Sequence, residues 1–214
     1  MAEESLRRRR GRRGARRGRG ARRRGAAGGR RALSVTFLWR RLDVPGLEHF
    51  RLVEGPDGPR LAGTILLAHE GTPLHVEYEI ECDASWRTRR VRVLMAHGGE
   101  ARQLELDADG EGRWRAGGEE LPAVAGCLDV DLSLTPATNT LPLRRLPLAP
   151  GESREVTAAW VLFPSLEVKL LAQIYTRLDA RRLRYESATG FSTEIEVDDA
   201  DLVVRYPPFW DRVG

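Results

Sequence analysis

Between Leu74 and Glu81 the chain alternates without a break. Leu74, Val76, Tyr78 and Ile80 are apolar, while His75, Glu77, Glu79 and Glu81 are polar. Only an extended strand sorts such a series onto two faces, one for a core and one for water. The theme continues through Val91, Val93 and Met95, through Leu104 and Leu106, and through Leu128, Val130, Leu132 and Leu134. Apolar runs of strand length follow at 156–163, 168–175, 191–197 and 202–206. Turn clusters such as Gly55-Pro56-Asp57-Gly58, His97-Gly98-Gly99 and Ala149-Pro150-Gly151 separate the runs. No stretch keeps a 3.6-residue apolar period beyond two turns. The pattern predicts a mainly β, single domain over residues 34–214, with ten to twelve antiparallel strands and little helix. So many strands must curl to hide their edges, so the expected form is a curved, incompletely closed barrel or roll.

Charge divides the chain in two. Residues 1–31 hold 14 arginines against two acids, and the remaining 183 residues hold 21 basic against 29 acidic side chains. The overall charge of +4 therefore belongs to the leading segment. Residues 1–33 are low-complexity Arg, Gly and Ala, with almost nothing to bury against the entropy of ordering, and are expected to be a disordered tail. The segment reads as an arm for RNA, DNA or anionic lipid, as a solvated tail, or as translated upstream sequence. An acidic body opposes phosphate binding, so nucleic acid is not the expected partner except through that arm.

Several classes lack support. No apolar run approaches the ~20 residues that cross a bilayer. The charged N-terminus is not followed by the apolar stretch of a secretory signal, so the expected compartment is the cytoplasm. Cys82 and Cys127 cannot build a disulfide framework or a thiolate metal site. His49, His69, His75 and His97 have no ligand spacing, and no nucleophile elbow or phosphate loop occurs. No metal, cofactor or catalytic residue is expected.

Two segments attract notice. Asp129 and Asp131 stand two apart in Cys127-Leu-Asp-Val-Asp-Leu-Ser133, which predicts both carboxylates on one strand face, opposite Leu128, Val130 and Leu132. Such a pair suits general acid–base work on a sugar, a cation, or plain pairing with arginine. Downstream, Thr135-Pro-Ala-Thr-Asn-Thr-Leu-Pro142 brackets small hydroxyl and amide side chains with prolines that cannot donate to a ladder. A shaped loop or a short helix is expected there. Thr138, Asn139 and Thr140 offer neutral groups that read hydroxyls, and Arg144 or Arg145 a fork for an anion.

These strings, with Trp39-Arg-Arg-Leu-Asp-Val-Pro-Gly46, Trp86-Arg-Thr-Arg89, Ala159-Trp160, Gln173-Ile-Tyr-Thr-Arg-Leu178 and Tyr206-Pro207, resemble the bacterial family called "putative glycolipid-binding", once a domain of unknown function. The resemblance runs from about Trp39 to Arg212. It implies an open β-barrel or roll similar to lipoprotein carriers that shelter acyl chains on a concave sheet. The expected function is therefore binding of a glycolipid or other amphipathic lipid, its tail on an unfilled concave face and its head among polar groups at the mouth. The candidate ligand-binding residues are Trp86, Arg87, Arg89, Asp129, Asp131, Thr138, Asn139, Arg144 and Tyr175. A sugar- or lipid-acting hydrolase using Asp129 and Asp131 is the alternative, and a solidly packed scaffold is another.

Overall fold

The computed structural model describes residues 33–214. The tail expected over residues 1–33 lies outside the described residues, except that Leu33 already opens the first strand. Six long strands form an antiparallel meander: β1 (Leu33–Arg41), β2 (Gly46–Gly55), β3 (Gly58–His69), β4 (Thr72–Cys82), β5 (Thr88–His97) and β6 (Glu100–Ala108). The short β7 (Trp114–Ala116) and β8 (Glu119–Glu120) extend it. On the other flank of β1 the sheet runs backward through the sequence. It passes through β15 (Trp210–Val213), β14 (Val203–Tyr206), β13 (Ser192–Val197), β12 (Arg182–Ser187), β11 (Val168–Arg177), β10 (Ser153–Val161) and β9 (Asp129–Leu132).

One sheet of 15 strands results, against the ten to twelve expected. The difference lies in short strands such as β7, β8 and β15, of two to four residues, which show no period of two in sequence. The expectation of a wholly antiparallel sheet also needs correction, because β9 pairs parallel to β10, with Asp131 opposite Trp160. The sheet does not close into a continuous ladder. Its last strand nevertheless returns toward the meander: the Thr88 amide donates to the Leu128 carbonyl (2.9 Å), and the Val130 amide donates to Thr88 Oγ1 (3.2 Å).

The inward face carries the core. Trp39, Phe50, Leu61, Ile80, Val93, Leu183, Ile195 and Trp210 are all buried there. That face is not a hollow. The chain between β9 and β10 enters it, and every residue from Leu134 to Leu143 is buried. This segment comprises a 3-10 turn at Ala137–Asn139 and the short helix α1 (Thr140–Arg145), as its prolines suggested. The unfilled concave face expected for an acyl chain is occupied by the protein's own Leu134, Ala137, Leu141 and Leu143, which join the core cluster.

Polar anchors fix this plug. Glu48 is fully buried on the inward face of β2. Its Oε1 accepts hydrogen bonds from Tyr78 Oη (2.5 Å) and Thr135 Oγ1 (2.7 Å), while Oε2 finds no partner among the described residues. Tyr78 lies on β4 and must cross β3 to reach it. It crosses at Gly63, its register partner, where an added Cβ would come within 2.4–2.6 Å of the phenol ring. Glycine is thus required by space at this point. At its far end the plug is held by Arg144, whose Nη2 lies 3.0 and 3.1 Å from the two oxygens of Glu54.

Burial pushes the Glu48 carboxyl up to about 8, against the opposing pull of the two hydroxyl donors. A neutral acid tolerates an unpartnered oxygen far better than a carboxylate does. The folded state therefore holds a proton that the unfolded chain releases near pH 4.5, and stability falls as pH rises from there to about 8. The expected loss is about 4–5 kcal/mol. Glu48→Gln keeps the acceptor without the charge. Urea unfolding between pH 4 and 9 should show that slope in the wild type and a flatter profile in the variant.

Candidate functional site

One end of the roll gathers the groups best suited to a ligand. β1 ends there at Arg41, β15 begins there at Trp210, and the β12–β13 and β14–β15 turns border it. Together with β9, β10 and the plug they enclose a pocket of about 280 Å³. Its polar lining includes Asp131, Ser133, Asn139, Ser187 and Thr189, and its walls are Trp160, Tyr185, Phe191, Tyr206, Phe209 and Trp210. The volume lies at the lower edge of the ~300–1,000 Å³ typical of small-molecule sites.

The rings form one continuous cluster. Tyr185 lies 6.1 Å from both Phe191 and Tyr206, and Phe191 lies 5.5 Å from Phe209. Arg41 stacks its guanidinium over Phe209 at 4.7 Å and Trp210 at 5.1 Å, and pairs with Asp43, which holds that carboxyl below the usual range. The Tyr185 and Tyr206 phenols are raised by burial first and then by neighbouring charge, so both stay neutral hydrogen-bond donors.

Polar support stands behind the pocket. Gln173 Nε2 donates to Asp131 Oδ2 and lies 2.9 Å from Tyr185 Oη. Tyr175 Oη donates to Asn139 Oδ1 (2.9 Å), and Asn139 Nδ2 donates to the Pro136 carbonyl (3.0 Å). These bonds fix the orientation of Asn139 and Asp131. Burial raises the Asp131 carboxyl to about 6, opposed by Gln173. Among the described residues it has an amide partner but no arginine partner, so it remains an acceptor within the pocket.

The nine residues singled out in the sequence do not converge. Asp131 and Asn139 line the pocket, and Tyr175 backs Asn139. Thr138 is buried within the plug. Asp129, 1% exposed, turns to Arg145 instead, whose Nε and Nη2 meet Oδ1 and Oδ2 at 3.1 and 2.5 Å. The two acids therefore do not share a wet strand face; β9 is buried on both sides, because the plug covers what the alternation left exposed. Burial raises the Asp129 carboxyl, with Arg145 opposing.

The other four candidates lie at the opposite end of the roll. Trp86 takes a positive φ of 64° in a turn closed by Asp83 Oδ1, which accepts from the amides of Ser85 and Arg87. That conformation sends the indole inward, where Arg144 stacks on it at 4.6 Å. Arg87 donates to the Gly110 carbonyl and Arg89 to the Ala108 carbonyl, so both staple the loop after β6. Among the described residues, no three His, Cys, Asp or Glu side chains gather to hold a metal ion.

The aromatic walls were missed because each ring, taken alone, reads as core. A signal was present: Tyr185, Phe191, Tyr206, Phe209 and Trp210 place five aromatic residues in the last thirty.

The Asp129–Arg145 pair gives a direct check on its structural role. Arg145→Ala leaves a buried carboxylate uncompensated and should cost about 3–5 kcal/mol in urea unfolding. Adding Asp129→Leu should restore part of that loss.

Comparison with known proteins identifies the family of this chain. A family model described as "Putative glycolipid-binding" matches residues 36–212, which spans β1 to β15 and the whole plug. Among solved structures, the crystal structure of a DUF1089 family protein from Pseudomonas aeruginosa is similar, with 37% sequence identity and a TM-score of 0.73. The match covers 78% of this chain and 92% of that one. No curated protein matches the chain. With its family model matched over almost the entire described body, the chain belongs to the family described as "Putative glycolipid-binding".

Proposed function

We propose that this protein binds the carbohydrate head of a glycolipid in the pocket bounded by Asp131, Asn139, Trp160, Tyr185 and Tyr206. One observation carries the reading: pre-oriented acceptors face a cluster of neutral aromatic rings in a single pocket. Sugars present hydroxyls around the ring edge and C–H groups on its faces. Acceptors held by buried partners suit the first, and aromatic walls suit the second. The family description supports the same ligand class.

This reading keeps the polar mouth of the sequence-based expectation and moves the tail. An acyl chain has no room on the inward face while Leu134–Leu143 fills it. Binding is favoured over hydrolysis because Asp129 is engaged by both nitrogens of the Arg145 fork, which leaves Asp131 without a free acidic partner. A two-carboxylate glycosidase needs both groups.

Titration calorimetry with soluble methyl and short-chain alkyl glycosides tests the proposal. The wild type is expected to bind at least one of them. Asp131→Ala and Asn139→Ala should each weaken that binding by about tenfold, the scale of one or two lost hydrogen bonds. The Asp131 carboxyl is raised to about 6, so it is a charged acceptor above that pH and a neutral acid below it. Affinity should fall as pH drops through 6, and Asp131→Asn should flatten the dependence. A wild type that binds no glycoside, or variants that bind as well as it does, would overturn the reading.

A further inference from the structure

The pocket lining carries one charge that the described residues leave uncompensated. Its two ionic side chains are Arg41 and Asp131. Arg41 is neutralised where it stands, because its Nε and Nη2 donate to the two oxygens of Asp43. Asp131 is not. Its Oδ2 accepts from Gln173 Nε2, a neutral amide, and its Oδ1 has no hydrogen-bond partner among the described residues. The elements around it bring no opposite charge. Trp160 of β10 stands opposite it in the register, and Ser133, Thr135 and Asn139 of the lining are neutral. Burial keeps the phenols of Tyr175, Tyr185 and Tyr206 neutral, and the Asp131 charge adds to that at all three. Arg145, the arginine nearest in the plug, is held by Asp129. A carboxylate so placed pays desolvation that a cation returns best.

Three of the walls form the second half of the argument. The ring centroids of Tyr185, Phe191 and Tyr206 lie 6.1 Å from one another, so they mark an equilateral triangle. Their planes are inclined to one another by 49–58° instead of stacked. A cation about 3.5 Å above that triangle lies about 5 Å from all three centroids, inside the ~6 Å over which a ring face attracts positive charge. The adjoining rings show this chemistry already occupied: Phe209 and Trp210 carry the Arg41 guanidinium at 4.7 and 5.1 Å. Tyr185, Phe191 and Tyr206 carry no cationic side chain among the described residues.

We infer that the pocket selects a sugar that carries a protonated amine, with Asp131 as the counter-ion and the Tyr185, Phe191 and Tyr206 rings around the ammonium. The inference rests on the carbohydrate reading above and names the class of sugar. A neutral sugar gives Asp131 hydroxyl donors but no opposite charge. An amino sugar gives it N–H donors and the charge together, and its remaining hydroxyls suit Asn139, Ser187 and Thr189. An anionic sugar meets repulsion from the same carboxylate. A bare metal ion needs several oxygen or nitrogen ligands, and among the described residues no three His, Cys, Asp or Glu side chains gather to supply them. Aromatic walls beside a single acid suit an organic ammonium instead.

Titration calorimetry of the full chain at pH 7 tests this with methyl glucoside, its 2-amino and 6-amino counterparts, and tetramethylammonium chloride as a cation without a sugar. The wild type should bind at least one amino glycoside about tenfold more tightly than the neutral one, the scale of one charge-assisted hydrogen bond. Asp131→Asn keeps an acceptor for Gln173 and removes the charge, so the preference should fall to about twofold or less. Tyr206→Leu should lower the preference about threefold, and Tyr206→Phe, which keeps the ring, should restore it. The Asp131 carboxyl, pushed up to about 6 by burial, is neutral below that pH, and the preference should shrink there. Equal affinity for the neutral and amino glycosides, or a preference that survives Asp131→Asn, overturns the inference and leaves the carbohydrate reading standing. Tetramethylammonium bound in an Asp131-dependent way, with no glycoside bound, overturns the carbohydrate reading and leaves the cation site standing. Binding of none of these probes overturns both.

Discussion

Everything in this fold depends on what the sheet curls around. A sheet this wide, apolar along its inward face, must bury that face against something. Here the partner is a ten-residue stretch of its own chain, inserted between β9 and β10. Its apolar side chains supply contact, but contact alone does not set a position. Position comes from directional bonds at its ends and middle: Thr135 to Glu48, Asn139 to Tyr175, Arg144 to Glu54 and Arg145 to Asp129. Two of these bonds reach β2, at Glu48 and Glu54, and the other two reach β11 and β9.

The same insertion explains the small, polar character of the pocket. Were the inward face open, the mouth would lead to an apolar channel. With the plug in place, the mouth ends on Asn139 and Thr135, and the remaining space is floored by amide and hydroxyl groups and walled by rings. The acid that could have completed a catalytic pair is taken by Arg145, a residue of the plug itself. A packing solution for the core has thus also decided which chemistry the mouth presents.

Much of this was legible in the sequence and some was not. Strict alternation at 74–81 placed Leu74, Val76, Tyr78 and Ile80 on the inward face, and all four are buried. Prolines 136 and 142 marked the irregular segment, and Asp131 and Asn139 were singled out by residue type. Glu48 escaped notice because a glutamate in Gly-Leu-Glu-His-Phe reads as a wet-face residue. Its burial depends on Tyr78 and Thr135, 30 and 87 positions away. Asp129 and Asp131 were separated by an arginine that sequence spacing could not assign to either. Trp86 faces inward only because its backbone turns to a positive φ, which no alternation rule anticipates. For Glu48 and Asp129 the missing information was long-range contact, and the short strands β7 and β8 were missed for want of enough residues to show a period.

The course of β1 has a practical corollary. It starts at Leu33 beside Glu54 and runs nine residues to Arg41 at the pocket rim, a span of roughly 30 Å at strand rise. The described body therefore opens, at Leu33, at the pole remote from the pocket. A fluorophore attached at the exposed Ser34, the next residue of β1, would stand nearly a strand's length from the pocket lining.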